Sequence, residues 1–115
     1  MSIEITQEQL DEMKEEAKRL ISRAESLNRL LKNKDFKSVF LEGYVKEECV
    51  RLVNLTADPN INMSNTKEAV RKDIEEKLIG IARFSEYLRT VDLLAKQANK
   101  TMEDIKEHES ASYIQ

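Results

Sequence analysis

Apolar residues recur along this chain at alternating spacings of three and four, the mark of helices that pack along one face. The longest run lies between Thr66 and His108: Val70, Ile74, Ile81, Phe84, Leu88, Val91, Ala95, Ala98, Met102 and Ile105. One place in it is taken by Lys77. At about 1.5 Å per residue this helix would be roughly 60 Å long, so its partners decide the architecture. A second run, Leu10, Met13, Ala17, Leu20, Ala24, Leu27 and Leu31, has no miss, and Ile21 and Leu30 widen it. Between the two lie Phe36, Val39, Phe40, Leu41, Tyr44, Val45, Cys49, Val50, Leu52, Val53 and Leu55. On a helical wheel these cover most of the circumference, which predicts burial by more than one neighbour.

The pattern predicts helices over about 7–32, 35–56 and 66–108. Thr6 with Gln9 forms a capping box, and Ile5 and Leu10 are spaced for a hydrophobic staple. Asn33 or Asp35 can cap the second helix, across a soft break with no Gly or Pro. Asp58-Pro59-Asn60 marks a turn in the one real loop. Asn65 with Glu68 resembles another capping box. After Glu109 no pattern remains, so fraying is expected at 1–5 and 109–115 of a single all-helical domain.

An antiparallel hairpin of the second and third helices, paired from Thr56 and Thr66 outward, brings Gly43 and Gly80 to one level. Two helix-interior glycines at one level suggest a close backbone approach, since each costs about 1 kcal/mol relative to Ala. The same register sets Leu31 near Val91, Ala24 near Ala98 and Ala17 near Ile105. The expected fold is therefore all-α, a long antiparallel hairpin with a kinked first arm. The alternative is an up-down-up three-helix bundle. The seam residues expected to carry contacts are Leu20, Leu27, Leu31, Phe40, Gly43, Tyr44, Gly80, Phe84 and Leu88.

Composition narrows this further. Charged residues are 36% of the chain and aromatics 5%, with two glycines and one proline, which suits long helices and leaves only a thin core. The net charge is -3, from 19 basic and 22 acidic residues. Interleaved signs read as a solvated helix surface, and the basic footprint of a nucleic-acid binder is missing. The single Cys49 cannot form an intramolecular disulfide, and in its apolar run it reads as a small hydrophobe. No segment reads as a signal peptide, and no apolar run approaches a membrane span of ~20 residues. The expected setting is a reducing cytoplasm, or a particle assembled there.

The residue inventory offers little chemistry. His108 is the only histidine and sits beside Glu107 and Glu109 near the expected helix end, where a cation suits the dipole. A His/Cys metal site cannot be built from one of each. The Glu15-Glu16, Glu47-Glu48 and Glu75-Glu76 pairs read as solvated faces, and the Glu-x-x-His motif of a di-iron bundle is missing. No phosphate-cradling glycine loop is present, and no histidine stands as base to a nucleophile. Neither an enzyme nor a cofactor is expected. Tyr44, Phe84 and Tyr87 could line a pocket, although aromatics at this spacing usually pack in a core.

Asn33-Lys34-Asp35-Phe36, Leu41-Glu42-Gly43-Tyr44, Arg51-Leu52-Val53, Ala57-Asp58-Pro59 and Ile79-Gly80-Ile81 with Phe84 and Leu88 follow in order. Over about residues 27 to 105 the chain resembles a group of small tailed-bacteriophage proteins encoded among virion and packaging genes. That resemblance implies a phage origin and a structural or assembly role. The expected partners are copies of the chain or larger virion proteins, with neither nucleic acid nor membrane involved. The expected location is the virion or the cytoplasm of the infected bacterial host. The alternative is a soluble phage effector that binds a host protein or a small signalling molecule, in host takeover or anti-defence.

Overall fold

The structure is a computed structural model and describes residues 5–114. Among the described residues it is all-α, with no strand. Helix α1 is Gln7–Lys32, and α2 is Lys34–Phe36. A π-helical segment, Lys37–Glu47, follows directly and runs into α3, Glu48–Thr56. Helix α4 is the single turn Pro59–Asn62, and α5 is Lys67–Ile114. The third long helix therefore does not end at His108. The expected frayed tail is helical to Ile114, and residues 1–4 of the expected leading fray lie outside the described residues.

The helix ends follow from local chemistry. The Gln9 N–H donates to Thr6 Oγ1 at 3.1 Å and the Thr6 N–H donates to Gln9 Oε1 at 2.9 Å, so the capping box is reciprocal. Asn33 is extended, and its side chain accepts from the Phe36 N–H at 2.9 Å, making it the cap of α2. Asp58 caps α4 by accepting from the Asn60 N–H at 2.8 Å, with Pro59 at the first helical position. The start of α5 differs from expectation. Ser64 Oγ accepts the Thr66 N–H at 3.1 Å, and no hydrogen bond joins Asn65 to Glu68 among the described residues. Asn62 ties the connection down. Its Nδ2 donates to the Thr56 carbonyl at 3.1 Å, while its Oδ1 accepts from Arg71 Nη2 at 2.7 Å.

The chain divides into two compact units. One joins the chain up to Asn28 with the chain from Arg89 onward; the other is Arg29–Leu88. In the first unit the buried residues are Leu10 and Ala17 of α1 with Val91, Ala95, Ala98 and Ile105 of α5. Half of these are alanines, and small side chains let two helices lie close. The Lys14 ammonium pairs with the Glu109 carboxylate at the edge of the same unit.

In the second unit Leu52, 1% exposed, is buried with Ile74 and Ile81, and Val45, Cys49, Leu55, Val70 and Leu78 close around them. All ten apolar seam residues expected on α5 are buried or half-buried. Lys77 is not a core residue, because Leu78 takes that place and Lys77 pairs with Asp73 at the surface, 2.8 Å away.

The π segment is what the sequence pattern did not foretell. Here the backbone N–H of residue i reaches the carbonyl of i−5, as at Glu48, whose N–H donates to the Gly43 carbonyl. Most π-helical stretches are single turns, whereas this one runs 11 residues. A wider turn changes which side chains share a face. Phe36, Leu41, Val45, Cys49 and Leu52 are buried or half-buried, at spacings of five, four, four and three. On a wheel of 3.6 residues per turn Leu41, Val45, Cys49 and Leu52 share one face and Phe36 falls opposite, while Val39, Phe40, Tyr44, Val50 and Val53 stay exposed, so the expected burial on several sides does not hold within the single chain.

Candidate functional site

The seam residues expected to carry contacts fall into two places. Phe40, Tyr44, Gly80 and Phe84 come together in the Arg29–Leu88 unit. Phe40 stacks on Phe36 with ring centres 5.2 Å apart and faces Phe84 at 6.1 Å. Tyr44 meets Phe84 edge-on at 5.6 Å. Each such pair contributes about 0.5–1.5 kcal/mol beyond the area it buries. Phe36 completes this row and was not among the expected contact residues. Phe36 and Phe40 are four apart, a spacing that puts two side chains side by side on a helix.

The row lies at the surface, with Phe40 44% exposed and Tyr44 36%. Val39 is 62% exposed, Val50 58% and Val53 54%, so the arm from Lys34 to Thr56 presents apolar side chains to solvent at several levels. Leu31 and Leu88 of this unit are half-buried.

Gly43 and Gly80 do not form a close crossing of two backbones. A methyl group added at Gly43 would lie 3.1 Å from the Ser38 carbonyl of its own helix. One added at Gly80 would lie 3.7 Å from the Tyr44 hydroxyl, an ordinary contact. The first glycine therefore serves the π turn. The second has only the Tyr44 hydroxyl at contact distance.

Leu20 and Leu27 belong to the other unit, where both are half-buried; its deepest α1 positions are Leu10 and Ala17. Leu20 lines an open groove of about 620 Å³. Ile5, Met13, Ala17, Leu94 and Ala98 form the rest of its apolar lining, and Gln9, Glu12, Glu16, Gln97 and Thr101 give it a polar rim. Arg19 Nε donates to Glu16 Oε2 at 3.0 Å. That hydrogen bond holds the Glu16 carboxyl below its ordinary value and raises the Arg19 guanidinium. Arg51 does the same to Glu48 in the other unit, with Nε to Oε2 at 2.8 Å.

Chemistry elsewhere is sparse. Among the described residues no group of three or more His, Cys, Asp or Glu side chains is gathered to hold a metal ion. Cys49 is half-buried against the Leu52 core. His108 is exposed and not in the last turn of α5, so the expected pairing with the end of the helix dipole does not apply. Among the described residues no helix is long and apolar enough to cross a membrane. What the surface offers is an exposed aromatic row and a groove between helices. The chain matches no family model, no curated protein and no solved structure.

Proposed function

We propose that the protein is a non-enzymatic structural or assembly component of a tailed-phage particle, acting through helix–helix contacts with itself or with larger virion proteins. The observation that carries this reading is the exposed aromatic row of the second unit, Phe40 and Tyr44 against Phe84, with Val39, Val50 and Val53 also exposed on the same arm. Monomeric soluble proteins rarely expose large contiguous apolar patches, which instead mark contact sites. The resemblance of residues 27 to 105 to phage proteins supplies the setting, the virion or the infected host cytoplasm.

The accompanying architecture is the long antiparallel hairpin with a kinked first arm. Two facts favour it over the up-down-up bundle. Helix α1 groups with the half of α5 beyond Arg89, and the arm from Lys34 to Thr56 supplies the partners of Ile74 and Ile81. A three-helix bundle would pack α1 on that arm.

Quantitative proteomics of purified particles tests the function. Many copies per virion is the expected result. A protein made early and missing from virions would overturn it in favour of the soluble effector. In solution, light scattering at micromolar concentration should give a mass above 13.4 kDa. A stable monomer that binds no apolar dye would remove the main support.

A further inference from the structure

We propose that α1 pairs with the α1 of a second copy of this chain, antiparallel and two-fold symmetric, along the groove side of the unit built on Leu10 and Ala17. This rests on the self-association reading above and adds a contact surface in the other unit. Glu12, Glu16, Arg19 and Arg23 follow one another at spacings of four, three and four, so they form one stripe on the helix. Glu12 and Glu16 stand on the groove rim, next to Met13 and Leu20 on its floor. The stripe is acidic in its first half and basic in its second.

That order makes the stripe its own complement when reversed. A two-fold axis through the point midway between Ala17 and Lys18 sets Glu16 against Arg19 of the second copy and Glu12 against Arg23. Both pairs share that centre, and so do the uncharged Gln9 and Ser26. A parallel copy would instead align Glu with Glu and Arg with Arg, and like charges side by side reject that arrangement. A closed two-fold contact uses the same patch on both molecules. A stripe complementary to itself fits a second copy without further assumptions about a partner.

The Glu16–Arg19 hydrogen bond within one helix does not compete strongly, because an exposed pair three residues apart contributes little. In the dimer the two Glu16 and two Arg19 groups would alternate around the axis as a ring of four charges. Met13, 39% exposed in the single chain, and Leu20 would be covered beside them, adding apolar burial to the charge match.

Charge reversal of the full chain tests this. Glu12→Arg with Glu16→Arg makes the stripe wholly basic, and Arg19→Glu with Arg23→Glu makes it wholly acidic. Sedimentation equilibrium should give the wild type as a dimer. Each doubly substituted chain alone should dissociate at concentrations roughly tenfold or more higher. An equimolar mixture should regain the dimer, as one basic and one acidic partner. That recovery separates a lost interface from a lost fold. A mixture that stays monomeric overturns the pairing. So does a wild-type dimer that neither substitution weakens, which leaves self-association intact through another surface. A wild type that stays monomeric at micromolar concentration overturns both.

Discussion

Gly43 and Gly80 look equivalent in the sequence and are opposite in consequence. The space around a missing methyl group decides the sign of each substitution. At Gly80 an alanine meets only the Tyr44 hydroxyl at van der Waals distance. Gly80→Ala should therefore stabilise by about 1 kcal/mol through helix propensity and raise Tm by several degrees. At Gly43 the obstacle is a carbonyl held in the backbone 3.1 Å away, which cannot swing aside as a side chain can. Gly43→Ala should lower Tm despite the better propensity, and a thermal melt of the two variants checks both signs. Lys77→Leu gives a third check. The heptad pattern puts position 77 in the core, but Leu78 is there and Lys77 lies in solvent against Asp73. This substitution should move stability by no more than about 0.5 kcal/mol, as for an ordinary surface site. A pattern of apolar letters shows that a seam exists. It does not say whether the neighbour of a glycine is another helix or the same one.

Among the elements, helix ends were legible in proportion to how local their chemistry is. The Thr6–Gln9 box and the Asp58-Pro59 turn each close within four residues, so the letters suffice. Asn33 and Asp35 both qualified as caps, and the extended backbone at Asn33 selects it. Asn65 with Glu68 had suitable residue types but lost to Ser64, whose hydroxyl reaches the Thr66 N–H. Thr6→Ala and Asn33→Ala should each cost about 1 kcal/mol in urea denaturation, while Asn65→Ala should cost almost nothing. The π segment is not legible, because its apolar residues also suit an ordinary helix and no residue type marks a wider turn. The aromatic row is legible in part. Phe40, Tyr44 and Phe84 are singled out by the seam, whereas Phe36, although four residues before Phe40, lies off it and joins the row only through its stack on Phe40.

For the whole molecule, two cores lie along one chain, each with its own buried residues. Leu10→Asp places an unpaired charge in the first and Leu52→Asp in the second, a large penalty in either. Hydrogen exchange read by mass spectrometry should show each change releasing amides mainly in its own unit. Loss of protection throughout the chain from either one would mean that the two cores form a single cooperative block. The 11-residue π segment has a bearing on how this chain can change over generations. Wide turns hold surplus residues in a helix whose two flanks are already docked. Removing one residue between Lys37 and Glu47 can narrow a turn toward ordinary α geometry. The same loss within α3 would rotate Leu52 off the core. A scan of single-residue deletions should therefore find tolerated lengths in the π segment and almost none in Glu48–Thr56. If so, this stretch is the part of the molecule where descendants of the sequence can gain or lose a codon and still fold.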